Sequence, residues 1–186
     1  MSNPDPRFVV EAVIALQQMD NHALAAKFLY TLYVKELLTV AFRITNHMPE
    51  AEDLVQEAFL KSFDKINQLK DPNHYGAWVK RILINHCLKV KKKALVFEEL
   101  PEQETQIESE KEEQWYLQIP LATINNAIQA LPSGCRTVFT LHLMDGYKHR
   151  EVADMLGIEL STAKSQYRYA LKRLRALLLP HRNQFL

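Results

Sequence analysis

The chain has 186 residues, 47% of them hydrophobic, with 23 Lys and Arg against 22 Asp and Glu for a formal net charge of +1. That apolar content excludes a wholly disordered chain and suffices for one domain core or two small ones. Four glycines, against about 13 expected at average usage, exclude glycine-loop phosphate-cradling enzymes and turn-dense β-sandwiches.

The prolines at 4, 6, 49, 72, 101, 120, 132 and 180 lie between apolar-periodic stretches, as breaks between helices do. Cys87 and Cys135 form neither a disulfide framework nor a metal-ligand spacing, which points to a reducing compartment. Met1 to Phe8 lacks a signal-peptide pattern, and no apolar run approaches the roughly 18 residues of a membrane span. The expectation is an all-α cytoplasmic protein that does not insert in the membrane. By itself, a net charge of +1 gives no hint of a nucleic-acid partner.

Residues 7–18 carry Phe8, Val9, Ala12, Val13 and Leu16 on one helical face. Across 22–45 the same spacing puts Leu24, Phe28, Leu32, Leu38, Ala41 and Phe42 on the expected inner face. Pro49 opens a third helix, where Leu54, Val55, Ala58, Phe59, Ser62, Phe63 and Ile66 make one stripe. Asp53, Gln56, Glu57, Lys61 and Asp64 lie opposite it. Asn67 to Tyr75, containing Asp71-Pro72-Asn73, reads as a loop. A fourth helix follows over 76–93, with Trp78, Ile82 and Leu88 as expected core contacts.

Charge then divides the chain. From Glu98 to Glu113 there are 8 glutamates and one lysine, an acidic stretch that reads as a solvated linker. Outside it stand 22 basic and 14 acidic residues. The expected organisation is two helical domains, 1–94 and 121–186, joined by an acidic linker over 95–120. The second domain reads as helices over 121–131, 133–144, 148–155 and 160–178. Asp145-Gly146 and Gly157 separate the last three, and Gly157 permits a tight turn before a long basic helix. This is the helix-turn-helix pattern.

Two stretches are basic and free of acid. In the last helix Ala163, Tyr167, Ala170, Leu174 and Leu177 form the expected inner stripe. Ser161, Thr162, Ser165, Gln166, Arg168, Tyr169 and Lys172 are expected to point outward, a set of hydroxyl, amide and cationic groups suited to base edges and phosphates. From Lys164 to Arg182 there are six basic residues and no acid, which a merely solvated surface helix does not require. Between Pro72 and Phe97 there is again no acid, while Lys80, Arg81, Lys89, Lys91, Lys92 and Lys93 supply six positive charges. Tyr75 and Trp78 lead into that helix, an arrangement suited to a strand backbone with stacked, unpaired bases. The competing reading of Trp78 is a core residue, and of the lysine run a helix end complementing its dipole.

The Asp53, Gln56 and Glu57 surface is one that DNA would not favour, and beside two basic blocks it suits a basic protein surface. No enzymatic site is legible. The 7 histidines are scattered as surface residues, with His142 and His149 on either side of a turn. Asp145 near His142 comes without a nucleophile elbow, and His86-Cys87 lacks nearby ligands for a metal. No catalytic residue, metal or cofactor is expected.

Together these stretches resemble the bacterial RNA polymerase sigma factors of the extracytoplasmic-function (ECF) group. Ala51-Glu-Asp-Leu-Val-Gln-Glu-Ala-Phe-Leu60 is similar to the family helix that docks on core RNA polymerase. Ala77-Trp-Val-Lys-Arg-Ile82 with Asn85 resembles the helix that melts and reads the −10 element. Leu131-Pro132, Gly146-Tyr-Lys-His-Arg-Glu-Val-Ala153, Leu156-Gly-Ile158 and Lys164-Ser-Gln166 resemble the −35-reading domain. The likeness covers 24–93 and 124–179. Ser161 stands where relatives often have glycine, and Tyr167 and Tyr169 are bulkier than the usual residues.

The resemblance implies a protein that makes no bonds itself but directs core polymerase to promoter DNA. It implies that Asp53, Gln56 and Glu57 face polymerase, and that residues 67–75 capture a flipped −10 base with Asn73 and His74 as candidate contacts. Trp78 would brace that loop while Arg81, Asn85 and Lys89 face the DNA. Arg150 would touch phosphate, and Ser161, Thr162, Lys164, Ser165, Arg168 and Lys172 would meet the −35 element. The acidic linker would thread a basic polymerase channel. Relatives are usually held by an anti-sigma factor, often membrane-anchored, and no appended C-terminal sensor domain is expected. The alternative is a helix-turn-helix regulator with an N-terminal helical sensor domain acting without polymerase.

Overall fold

The structure, a computed structural model, describes residues 6–18, 22–91 and 119–184. All regular structure among these residues is helical, and the chain divides into two compact units, Met1–Lys91 and Lys92–Leu186. The acidic stretch from Glu98 to Glu113 lies outside the described residues.

The first unit consists of α1 (Pro6–Gln17), α2 (His22–Thr45), α3 (Met48–Asp64) and α4 (Tyr75–Lys91). The last three pack on one another, and α1 lies against α2. Asn46, at φ 55, ends α2 in the left-handed region that asparagine tolerates. His47 then caps α3, its Nδ1 accepting from Glu50 N at 3.3 Å. The α3 stripe is buried as expected, from Leu54 and Val55 through Ala58 and Phe59 to Ser62 and Ile66, with Phe63 half-buried.

The faces of α1, α2 and α4 differ from the sequence reading. Phe8 is 57% exposed although Val9, Ala12, Val13 and Leu16 are buried. In α2 the buried face is Ala25, Leu29, Leu37, Val40, Ala41 and Ile44, while Leu24 stands 63% exposed. Phe28, Leu32, Leu38 and Phe42 are only half-buried, so the inner face is turned by about one residue from the expected one. In α4 the core positions are Tyr75, Val79, Leu83, Ile84, Cys87 and Leu88, and Trp78 and Ile82 are half-buried.

The expected loop over 67–75 contains two short 3-10 turns, Ile66–Gln68 and Pro72–His74. Gln17 fastens it from α1, donating through Nε2 to Ile66 O at 3.2 Å and Leu69 O at 3.1 Å. Tyr75 closes it from below with no exposed surface, as the first residue of α4 and not as a solvent-facing stacking group. Ser62 Oγ gives its proton to Phe59 O at 2.7 Å, so the Tyr75 hydroxyl, 3.0 Å away, donates to Ser62. Burial holds that phenol far above its ordinary pKa.

The second unit is formed by α5 (Leu121–Gln129), α6 (Ser133–Phe139), α7 (His149–Leu156) and α8 (Leu160–Leu178). Its core joins Ala127, Ile128, Leu131, Cys135 and Phe139 to Ala170 and Leu174 of α8. The helix expected over 133–144 is regular only to Phe139 and continues as a π turn over Thr140–Met144. Asp145 N donates to Thr140 O at 3.0 Å, the wide bond of that turn. Gly157, at φ 67 and ψ 42, ends α7 in the left-handed region, with its N–H on Ala153 O at 2.8 Å. That turn aims α8 away from α7 and completes the helix-turn-helix arrangement.

Candidate nucleic-acid and protein-docking surfaces

On α3 the side chains of Asp53, Gln56 and Glu57 are exposed together with Leu60, at i, i+3, i+4 and i+7 spacing. Leu60 is 63% exposed in the middle of this polar face, an apolar contact point that charge-based reading passes over. Glu57 is not independent of the helix beside it. Its Oε2 lies 3.3 Å from Lys61 Nζ and 3.2 Å from Nε2 of His86 on α4. Lys61 Nζ also lies 3.2 Å from the His86 ring nitrogens. Burial lowers the pKa of His86, as do Lys61 and Lys89, while Glu57 acts in the opposite direction.

At the 71–74 turn, Asp71 organises both predicted base contacts. Its Oδ1 accepts from Asn73 N at 3.0 Å and Asn73 Nδ2 at 2.8 Å, and its Oδ2 lies 2.9 Å from His74 Nδ1. The Asn73 amide holds the Asp71 carboxyl below its ordinary pKa, with His74 adding to the effect. Asn73 and His74 are exposed, with these polar atoms folded back onto Asp71.

Arg81, Asn85 and Lys89 project from α4 four residues apart, all exposed and on one face. Trp78 stands a turn before Arg81, its ring centroid 6.2 Å from that of the buried Tyr75. Two other cations of the acid-free stretch have partners. Lys80 pairs with Glu36 of α2 and Lys91 with Glu50 of α3. Lys92 and Lys93 lie outside the described residues.

In the second unit Ser161, Lys164, Arg168 and Lys172 are exposed along one stripe of α8, and Arg150 is exposed on α7. Thr162 and Ser165 are half-buried. The Ser165 hydroxyl donates back to Ser161 O at 2.9 Å and Thr162 O at 3.1 Å. Gln166, read as outward, is 1% exposed. It belongs to the Ala163, Ala170 and Leu174 face, and its Oε1 accepts from Cys135 Sγ at 2.7 Å. Tyr169 is half-buried against the core together with Tyr167.

The structure also joins residues that the sequence reading left apart. Arg136, 5% exposed, donates through one guanidinium nitrogen to Gln129 O at 2.9 Å and Leu131 O at 2.8 Å. His142 and His149, read as scattered surface residues, stack with ring centroids 3.7 Å apart. Among the described residues no group of three or more His, Cys, Asp or Glu is placed to hold a metal ion, and no helix is long and apolar enough to cross a membrane.

Residues 29–94 match the family described as Sigma-70 region 2, and residues 121–174 match Sigma-70, region 4. The chain is 28% identical over 150 residues to the ECF RNA polymerase sigma factor SigE of Mycolicibacterium smegmatis, covering 78% of this chain. That match spans 58% of SigE, less than two thirds of its length. To RNA polymerase sigma factor SigV of Bacillus subtilis the identity is 23% over 145 residues, covering 78% of this chain and 86% of SigV. A solved structure of the sigma factor RpoE with the anti-sigma factor NepR from Bartonella quintana is similar in fold, with a TM-score of 0.52. It shares 23% identity and covers 82% of this chain and 95% of that one.

Proposed function

Because the chain belongs to the sigma-70 family, as an RNA polymerase sigma factor of the ECF group, we propose that its two units divide promoter recognition between melted and duplex DNA. Residues 1–94 dock on core RNA polymerase through Asp53, Gln56 and Glu57 and engage the −10 element through Asn73, His74, Trp78, Arg81, Asn85 and Lys89. Residues 121–186 read the −35 element through Ser161, Thr162, Lys164, Ser165, Arg168 and Lys172, with Arg150 on phosphate. The linker over 95–120 carries the negative charge that suits a basic channel of the polymerase.

The observation that carries this reading is the pair of aligned basic faces. Arg81, Asn85 and Lys89 recur on one side of α4, while Lys164, Arg168 and Lys172 follow a glycine-turned helix-turn-helix. The first suits an unpaired strand, where cations follow the backbone and an aromatic receives a base. The second suits a major groove. The chain itself makes and breaks no bonds; polymerase performs the chemistry. Its working compartment is then the cytoplasm, where polymerase and promoter are found. An anti-sigma factor, soluble or membrane-anchored, is the regulatory partner that the reading implies.

Run-off transcription with core polymerase on a genomic-fragment library tests it. The expected result is discrete products that require the chain and disappear when Asp53→Lys is combined with Gln56→Ala. Products that persist undiminished would remove the docking assignment, and DNA binding without any polymerase dependence would favour the helix-turn-helix regulator.

A further inference from the structure

His142 and His149 meet where three elements of the DNA-reading unit converge. The π turn over Thr140–Met144 carries His142, α7 begins at His149, and both rings rest on Tyr167 of α8. The two imidazoles are nearly parallel, at 23° and 3.7 Å. Each meets Tyr167 at a steep angle, His142 at 4.7 Å and 88° and His149 at 5.1 Å and 65°. Phe139 stacks on Tyr167 as well, at 6.3 Å, which ties the contact to the core. Tyr167 lies in sequence between Lys164 and Arg168, two exposed cations of the α8 stripe.

The polar atoms fix the His142 ring and disfavour a second proton on His149. Nδ1 of His142 lies 2.7 Å from Tyr147 O, which accepts its proton and leaves Nε2 without one in the neutral form. Nδ1 of His149 is buried and has no hydrogen-bond partner among the described residues. A proton there would enter a site with no acceptor, beside a second imidazole and two cations. The charged groups around the pair give little relief. Lys164 and Arg168 on α8 and His142 itself oppose a charge on His149, whose pKa burial lowers first and these neighbours lower further. On α7, Arg150 adds positive charge, and Glu151 accepts from Lys148 N at 2.7 Å. Arg136 of α6 is directed to Gln129 O and Leu131 O. Asp145 ends the π turn and is the acidic group next along the chain from His142. Stacked rings direct their lone pairs in parallel planes, so the pair is not arranged to share a metal ion.

We infer that His142 and His149 form a stacked wedge that positions α8 through Tyr167, so that protonating His149 loosens the −35-reading helix and makes duplex recognition fall in mild acid. The part concerning DNA rests on the function proposed above; the wedge itself does not. Both histidines act through Tyr167 and are positioning residues, with no contact to DNA required. The regular spacing of α8 fixes Lys164 and Arg168 relative to Tyr167, so a shift of the tyrosine moves both together.

The wedge is tested first without DNA, by following the imidazole signals of the full chain by NMR from about pH 7.5 to pH 5. The expected result is that His149 titrates below the ordinary histidine range, and that Tyr167 ring signals shift with it. Titration of His149 in the ordinary range, or an unmoved Tyr167, overturns the wedge.

The second arm measures, with reconstituted holoenzyme, affinity for a duplex selected from a random-sequence pool. The wild type is expected to lose about fivefold more affinity than His149→Phe on moving from neutral to mildly acid pH, an effect at the low end of site-to-site coupling. Equal losses overturn the link to recognition. If no duplex is selected at any pH while the NMR result stands, the promoter reading fails and the wedge does not. Should His149→Phe fail to fold, His149→Tyr takes its place, and the NMR arm needs neither variant.

Discussion

Arg136 is a buried cation that terminates a helix. At 5% exposure it spans the gap between α5 and α6, holding the carbonyls of Gln129 and Leu131 where α5 runs out of its own donors. Burial lowers its pKa, yet a guanidinium remains charged through the accessible pH range. Arg136→Met keeps the length and apolar stem but strands two carbonyls. The expected cost is about 2–3 kcal/mol in urea unfolding of the second unit, with Arg136→Lys intermediate because one ammonium cannot reproduce the planar fork. Unfolding of Arg136→Met at the wild-type urea midpoint would show that water or relaxation replaces the bonds. Nothing in the pattern around Arg136 announced this role. It sits among Cys135, Val138 and Phe139 on a segment read only as a helix, and a lone arginine there is ordinarily assumed to find the surface.

At the scale of elements, α3 and α4 are joined by the Glu57, Lys61 and His86 group, and this has a measurable consequence. His86 is held below the usual histidine range, so the unfolded chain takes its proton first as pH falls. The stability contributed by neutral His86 is therefore complete above about pH 6.5 and is lost as pH drops through the lowered folded value. Glu57 is the neighbour that favours the charged ring. Glu57→Gln should therefore lower the His86 pKa further, read by NMR; a rise or no change would show that Glu57 turns to solvent. The same elements explain what was legible. The α3 face separates cleanly because Asp53, Gln56, Glu57 and Lys61 alternate with Leu54, Val55, Ala58 and Phe59. In α2 almost every side is apolar or aromatic, so periodicity cannot fix the inner face, and tertiary packing selects Ala25 and Leu29 over Leu24 and Phe28. Gln166 shows the reverse error. Its spacing from Ala163 and Ala170 marks it as inward, but its amide reads as a base contact, and packing against Cys135 decides. The His142 and His149 pair was illegible because a π turn changes the number of residues per turn, and that change brings the rings together.

Across the whole molecule, charge is segregated in a way that the net value of +1 conceals. Eight glutamates and one lysine stand between Glu98 and Glu113, and the remaining chain is basic by 22 to 14. A polyanion carried on the same chain as two basic stripes raises the local concentration of negative charge near both. Such a stretch is expected to compete with phosphate for them in the free protein, and to stop competing once it is occupied elsewhere. Replacing those 8 glutamates by glutamine is therefore expected to strengthen sequence-independent duplex binding by the free chain. The gain should be largest at low salt, at least severalfold, and should shrink as salt rises, because screening weakens the competitor and the phosphate contacts alike. Fluorescence anisotropy with a mixed-sequence duplex over a salt series measures it. A variant with the affinity and salt slope of the wild type would show that the acidic stretch does not reach the basic faces. In holoenzyme the same variant should lose this advantage if the stretch lies in a polymerase channel, as the proposed function has it. The free chain and the holoenzyme thus respond to one charge change in different ways, and that difference separates competition within the chain from a general effect of net charge.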